Sequence, residues 1–538
     1  MNNYDVIIAG GGIAGLTAAA YCCDKSVLLC EKSSVTGGLI KSFNDNGFVF
    51  DAGVRSFENS GIIFPMLKQL GINIDFIKSD VSIGVEDKII NYISKENLYD
   101  YGKILSEKFP ENAGEIFSII DEIKKITDYM SIIYGIDNPL FLDYMNDKKY
   151  MFNVLFPWLI KYSKNMKKIK KLDLPVNDFL RKFTSNEALI DVITQHFFHN
   201  TPTFFALSYF GLYLDYYYPL GGTYTLVNEM EKFISDKNVT ISKNTEISEI
   251  FPGKNILKTS DGKIMYFKKL IWAADIKSLY NILNLSEIKN KNTLKKFNEK
   301  KKIINEKSGN ESILTVFISS DLNTEYFEKI ISPHFFYTPT IKGISGINSK
   351  YCIKNLIKSG TDNTEKKDII LKWLYEYLGN TTYEISVPSM RDKSLSPKDK
   401  TGIIVSTLID YNITKFFKDT GFYEEFKNIC TEKIIQVISE NLFKDLPKNI
   451  IKSSCATPLT LERYTSNFGG SITGWSFDEK NIPSETNLKK ISKSIITPFS
   501  DIYQAGQWSF SPSGLPVSIL TGKLAADKAL KSIRKEKI

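Results

Sequence analysis

Residues 4–31 hold the pattern that most restricts what this chain can fold into. Tyr4-Asp5-Val6-Ile7-Ile8-Ala9 is a short, mostly apolar run that stops at Gly10-Gly11-Gly12-Ile13-Ala14-Gly15. Leu16-Thr17-Ala18-Ala19-Ala20-Tyr21 is good helix material, and Ser26-Val27-Leu28-Leu29-Cys30-Glu31 reads as a second strand. Strand, GxGxxG turn, helix and strand in that order form a βαβ unit. Gly10 permits the tight turn, Gly12 lets the backbone approach a pyrophosphate, and Gly15 lets helix and strand close on each other. The helix N-terminus at Ile13 and Ala14 offers free N–H groups to phosphate charge. Glu31, at the end of the second strand, puts a carboxylate where a ribose diol can donate to it.

The remaining composition excludes several alternatives. The chain has 538 residues, enough for about three domain-sized units with a large core. Lys and Arg number 69 against 61 Asp and Glu, a net +8 that gives no argument for nucleic acid. Six cysteines without a CxxC pair support neither a disulfide scaffold, a dithiol centre nor a zinc ribbon, and they suit the reducing cytoplasm. Three histidines leave little for metal chemistry, and no metal site is expected. The N-terminal apolar run has no basic residue before it and is broken by glycines, so it reads as strand and helix rather than as a signal sequence.

Lys32 and a second glycine pair, Gly37-Gly38, follow the acid, with Leu39 next. Gly47-Phe48-Val49-Phe50-Asp51-Ala52-Gly53 reads as a strand ending in another glycine, and Val54 and Arg55 come after it. These segments resemble the FAD-dependent amine oxidase and phytoene desaturase superfamily, in which E-K-x-x-x-x-G-G and F-D-x-G recur. Near the other end, Ile502–Ala505 reads as a strand stopping at Gly506-Gln507, and a loop then leads to a helix from about Val517. Gly506, Gly514, Leu515 and Pro516 match the superfamily's closing segment. Between the two ends, Tyr218-Pro219-Leu220-Gly221-Gly222 precedes a helix from Tyr224 to Phe233. Short strands follow at Val239–Ile241, Ile247–Phe251 and Lys263–Phe267, then a strand from Leu270 ending in Ala273-Ala274-Asp275. This order resembles the P-x-G-G loop, meander and return strand of the same superfamily.

Within it, the chain has no second GxGxxG unit, and Leu39 stands where the amine-oxidase branch usually has Arg. Cys455–Tyr464 running into Asn467–Trp475 looks like the T-P-x-T-x-x-R-[YF] segment of phytoene desaturases, carotenoid cis–trans isomerases and retinol saturases. The resemblance implies FAD as cofactor, with contacts from Gly10, Gly12, Ile13, Ala14, Gly15, Glu31, Lys32, Gly37, Gly38, Leu39, Gly53, Val54, Arg55, Ile247, Ala274, Gly506, Gln507, Gly514, Leu515, Pro516 and Val517. Glu462 and Arg463 are site candidates by motif position only, and no catalytic acid or base is identified.

The middle of the chain is mostly helical, with 3–4 spacing of apolar residues over Tyr101–Phe109 and Glu115–Ile133. Met151–Ile160 is apolar and aromatic, and Lys161, Lys164, Lys167, Lys168, Lys170 and Lys171 follow directly. Such a pairing fits either a helix pair in a bilayer interface or a core helix with a solvated basic face. The first reading makes Met151–Lys171 a membrane-surface contact and the protein peripheral on the inner face of the membrane. Aromatics from Phe197 to Tyr218 line a tunnel in one reading and fill a core in the other. His196 and His199 read as core residues. Lys289–Lys307 reads as a solvated surface segment. Glu311–Ser319, Thr382–Val387 and Gly402–Asp410 read as strands, and Tyr423–Leu442 as a helix.

The fold class expected is α/β: a Rossmann-like FAD-binding domain assembled from discontinuous segments, an α+β substrate domain and a helical, membrane-associating insertion. Residues 1–85, 216–275 and 491–538 form the cofactor domain, 86–215 the helical region and 276–490 the substrate domain. The resemblance implies an FAD-dependent oxidoreductase that desaturates, saturates or isomerises an apolar polyene or isoprenoid. Two alternatives stay open: a flavin amine or porphyrinogen oxidase, and a prenyl-lipid escort of the same fold without enzymatic activity.

Overall fold

The computed structural model describes residues 3–142 and 148–536. Its first sheet joins three distant stretches of chain. Strands β1 (Asn3–Ala9) and β2 (Val27–Cys30) come from the N-terminus. From the middle come β3 (Thr240–Ser242), β4 (Ile247–Phe251), β5 (Ile256–Thr259) and β6 (Ile264–Trp272), and from the C-terminus β7 (Ile502–Gln504). Strands β3-β2-β1-β6-β7 run parallel, and the β4–β5 hairpin joins antiparallel along the first half of β6. Val6–Ala9 of β1 and all of β2 are continuously apolar and buried, as a parallel strand covered on both faces requires.

One face of this sheet carries the helices Ile13–Cys22, Thr225–Asp236 and Leu515–Lys535. The first and the last pack closely because both present small residues. A Cβ on Gly522 would fall 2.4 Å from the Ala14 carbonyl oxygen, and one on Gly15 would fall 1.9 Å from the Gly10 carbonyl oxygen.

A second sheet stands beside the first. Its order is Ile450–Ala456, Ser312–Ser320, Thr401–Ile409, Tyr383–Ser386, His334–Thr338, Val81–Val85, Lys88–Tyr92. All pairs are antiparallel except His334–Thr338 with Val81–Val85. The sequence reading grouped Val81–Val85 with the cofactor part, whereas this strand pairs in the second sheet. A three-stranded sheet of Phe57–Glu58, Tyr216–Pro219 and Phe76–Lys78 bridges the two regions.

Two sequence expectations are corrected here. Lys263–Phe267 and the strand from Leu270 are one strand, β6, unbroken at Lys268 and Lys269. Lys268 faces out and pairs with Asp5 at 2.7 Å. Lys269 is 1% exposed and is neutralised by Asp501 and Glu536. That ion pair ties β6 to the C-terminal segment. The lysine-rich segment Lys289–Lys307 is a helix, Lys291–Glu306, capped by Asn290 and burying Phe297 and Ile304 one face apart from its lysines.

The helix contact at Gly522 gives a direct test. Gly522→Val places branched methyls against backbone that cannot yield. It is expected to destabilise the protein by roughly 1–3 kcal/mol or more, the usual cost of overpacking. Denaturant unfolding measures this.

Candidate functional site

The two sheets and the Tyr464–Thr473 region enclose one cavity of about 400 Å³. At one end stand Glu31, Lys32, Glu246 and Ile247. The Glu31 carboxylate accepts the Gly11 N–H and the Ser33 N–H, both at 2.7 Å, which fixes its orientation. Lys32 Nζ pairs with Glu246 at 2.9 Å, both side chains lying at the surface. Mid-cavity lie Gly10, Gly12, Ile13, Ala14, Ala274 and Gly506. The helix Ile13–Cys22 has no side-chain cap and no acid in its first turn, so its N–H groups are free to take phosphate. A Cβ built on Gly12 meets nothing within 4 Å, and Gly12 itself lines the cavity. The backbone is thus open where a pyrophosphate must approach, and the cradle fits a dinucleotide.

Further in, the wall is formed by Gly37, Gly38, Leu39, Gly53, Val54, Arg55, Gln507, Gly514 and Leu515. Gly53 has to be glycine because a Cβ there would fall 1.8 Å from the Leu39 carbonyl oxygen. Every residue expected at the cofactor lines this cavity except three. Gly15 lies beneath the loop against Gly10, so it sets helix–strand packing. Pro516 and Val517 fall inside the first turn of the helix Leu515–Lys535, past the Gly514 N-cap that faces the cavity.

Arg55 belongs to the wall, but its guanidinium turns inward. Nη1 donates to the Asp51 carbonyl oxygen at 2.5 Å and to the Gly53 carbonyl oxygen, and Nη2 donates to Ser406 Oγ at 3.0 Å. Burial pushes its pKa down, with the Glu384 and Asp51 charges opposing. Asp51, fully buried, collects donors from two motifs far apart in sequence. It accepts Tyr218 Oη at 2.7 Å, Thr223 N at 3.0 Å, Thr223 Oγ1 at 2.8 Å and Ser42 Oγ at 2.8 Å. The F-D-x-G strand and the P-x-G-G loop are held together by this carboxylate.

The inner end of the cavity was not foreseen. Glu58, Tyr209, Tyr216, His334 and Glu384 meet there from separate elements. Ser56 Oγ lies 3.1 Å from His334 Nδ1. Glu384 Oε1 lies 3.0 Å from His334 Nε2 but off the N–H direction, so Nε2 has no aligned partner. Burial pushes the His334 pKa down, with the Glu384 carboxylate opposing. Burial opposes the Glu384 charge, yet His334, Arg55 and Arg391 together hold its pKa below the usual range. Arg391 stacks 3.9 Å over Tyr218 and donates to the Arg55 carbonyl oxygen at 2.9 Å. No local pattern marks these residues, because strand pairing across two sheets assembles them.

Other expectations divide. Of the aromatics from Phe197 to Tyr218, Tyr209 and Tyr216 face the cavity, while Phe197, Phe210, Tyr213 and Tyr218 are buried core. His196 is half-buried beside Tyr213 Oη at 3.0 Å, its pKa pushed down by desolvation to about 3. His199, by contrast, is 68% exposed and pairs with Asp478 at 2.5 Å. Glu462 and Arg463 do not line the cavity. Glu462 accepts Tyr411 Oη at 2.7 Å and the Gly469 N–H at 3.0 Å, while Arg463 packs over Tyr464. Their neighbours Tyr464 to Asn467 supply the wall instead.

Fold and cradle together define a Rossmann-type architecture with a glycine-lined cavity at its first helix N-terminus. Residues 8–70 match the NAD(P)-binding Rossmann-like domain model. Along its whole length the chain is similar to the 4,4'-diapophytoene desaturase (4,4'-diaponeurosporene-forming) of Staphylococcus haemolyticus. The two are 20% identical, over 98% of this chain and 99% of the relative. Among solved structures, a putrescine oxidase superposes with a TM-score of 0.59 at 11% identity, covering 99% of each chain. Reduced UDP-galactopyranose mutase gives 0.56 at 14% identity, over 98% of this chain and 96% of that one. The resemblance read from the motifs therefore extends from end to end.

Gly12→Val separates cofactor binding from folding. Its Cβ has room, so the melting temperature is expected to change little. Its methyl groups, however, occupy the approach to the first helix turn, and bound flavin should be lost. Flavin released on denaturation gives the readout, and a normal content would refute the cradle assignment.

Proposed function

We propose that this protein is an FAD-dependent oxidoreductase acting on a long apolar polyene or isoprenoid, with desaturation the favoured direction. The observation that carries this reading is the continuous cavity that runs from the Glu31 end past the glycine loop into a chamber walled by Tyr209 and Tyr216. End-to-end similarity to 4,4'-diapophytoene desaturases supports the substrate class. FAD would be held through Glu31 at its ribose, Gly12 to Ala14 at its pyrophosphate, and Gly38, Leu39, Val54, Gly514 and Leu515 along its ring end. When bound, it supplies hydride chemistry that no side chain provides. The chain's own task is to hold it, orient the substrate and exclude water. One feature favours a second reading. Glu58 and Glu384 make the inner end polar, which suits oxidation of an amine.

The membrane reading gains support from the segment Met151–Lys171. It forms a π-helical turn, Met151–Leu155, and a helix, Phe156–Ile169. Trp158 Nε1 anchors it to the Ile132 carbonyl oxygen at 2.6 Å, and Ile169 is buried. The apolar residues do not form a core helix: Phe152 is 70% exposed and Phe156 60%, with Leu159 and Ile160 beside them. All six lysines are exposed on the same segment. An apolar patch flanked by lysines fits insertion into an anionic interface, each lysine adding about 1 kcal/mol near the surface. No helix among the described residues is long and apolar enough to cross a membrane.

Two experiments test these readings. The purified protein should show flavin absorption and release FAD on denaturation. It should convert 4,4'-diapophytoene in liposomes and leave putrescine unchanged; the opposite preference would move the assignment to amine oxidation. Replacing Lys161, Lys164, Lys167 and Lys168 by Ser should weaken co-sedimentation with anionic liposomes, most clearly at low salt. Unchanged sedimentation would refute the membrane contact.

A further inference from the structure

Glu58 stands out among the acids of the cavity because, among the described residues, no other side chain hydrogen-bonds to its carboxyl. It closes the short strand Phe57–Glu58, opposite Tyr216, and its carboxyl faces the cavity. A Cβ on Gly514 would lie 3.6 Å from Glu58 Oε1, so the carboxyl borders the N-terminus of the helix Leu515–Lys535. That helix start lines the ring end of the cofactor cradle, and on the other side of Glu58 stand Tyr209 and Tyr216. The other acids lining the cavity are engaged: Glu31 by two backbone N–H groups, Glu246 by Lys32, Asp275 by the Ser278 and Phe468 N–H groups, and Glu384 beside His334 and two arginines. Glu31, Gly12 and Glu58 line the same cavity, so a dinucleotide held by its ribose at Glu31 and its pyrophosphate at Gly12 would have the Glu58 end of the cavity open to its far part.

We propose that Glu58 is the proton-transfer residue of this site, placed where the ring end of the cofactor meets the substrate. The inference rests on the FAD-dependent reading above. In the desaturation direction a substrate C–H bond breaks and an O–H bond forms on the Glu58 carboxylate. The electron pair left behind would close the C=C bond toward the neighbouring carbon, whose hydride oxidised FAD held in the cradle would accept. Glu58 then returns its proton to solvent through the cavity mouth.

The electrostatics suit this task. Burial pushes the Glu58 pKa up to about 7, its own backbone N–H opposing and the Asp215 carboxylate adding to the rise. The groups that face it are Asp215, Tyr134, Tyr209 and Tyr216. Burial pushes all three tyrosines up, so none is charged near neutrality. Lys78 tempers Asp215 from the adjoining strand. A base with a pKa close to working pH combines availability with driving force. The sign of the linkage follows. Between the ordinary glutamate value of 4.5 and about 7 the folded state holds the extra proton, so Glu58 lowers stability progressively as pH rises through that window.

The test compares wild type, Glu58→Gln and Glu58→Asp as flavin-loaded proteins. Infrared difference titration should show a carboxylic acid signal that disappears near pH 7 in wild type and is missing in Glu58→Gln. The melting temperature of Glu58→Gln should fall less than that of wild type as pH rises from 5 to 8. Anaerobic bleaching of the flavin by 4,4'-diapophytoene in liposomes, or by putrescine if that reading prevails, should slow about 100-fold or more in Glu58→Gln. Its rise with pH through about 7 should vanish, Glu58→Asp should recover part of the rate, and flavin content should be unchanged. An unaltered rate and pH profile in Glu58→Gln, or an ordinary carboxylate titration in wild type, would overturn the role of Glu58 while leaving the cofactor assignment intact. Wild-type protein that takes up no flavin would instead overturn the functional reading itself.

Discussion

The helices Ile13–Cys22 and Leu515–Lys535 approach so closely that a single methyl on Gly522 would fall 2.4 Å from the Ala14 carbonyl oxygen. The rest of the site depends on that contact. It brings Gly514 and Leu515 beside the glycine loop and sets β7 against β6, near the start of the chain. Lys269 reinforces the junction by pairing with Asp501 and Glu536. A buried lysine is costly unless neutralised, and two carboxylates surround it here. The closure brings no hydrogen-bond ladder beyond the short β7; it rests on close packing, for which small side chains are required.

Behind the cavity lies a second constraint, a buried polar lattice around Asp51, Arg55 and Arg391. Each of these side chains is almost fully removed from solvent, and most of their polar atoms have partners. Such a lattice gains little net stability over an apolar core, because desolvation offsets the Coulomb energy. Its contribution is positional. Asp51 locks the F-D-x-G strand to the loop at Thr223, and Arg391 locks the second sheet to Arg55 and Ser56. The chamber wall and the cofactor wall are therefore held in one frame, with Glu384 and His334 on its inner face.

The local patterns were readable wherever chemistry and chain geometry coincide. Gly10, Gly12 and Glu31 could be placed on the cavity wall because a tight turn, an open backbone and an acid at a strand end each demand one residue type. The strand at Ile502 and the helix after Gly514 were readable for the same reason. Where a pattern served packing alone, the reading went astray by small steps. Lys269 sits inside a strand instead of ending it, and Phe297 and Ile304 give a buried face to a helix that looked solvated. Phe152 and Phe156 illustrate the converse, since periodicity alone cannot tell an apolar stripe that packs from one left outside.

By itself, then, the sequence determined the strand, glycine turn and helix at Gly10–Gly15 and the order of the segments that line the cavity, because glycine and acid at fixed offsets have few other physical uses. Only the tertiary structure decided which acids face the reacting end of the cavity. Glu58, His334 and Glu384 lie on three strands of two sheets, hundreds of residues apart at the extremes. Their meeting is a consequence of strand pairing and burial, and nothing in the residues beside them records it.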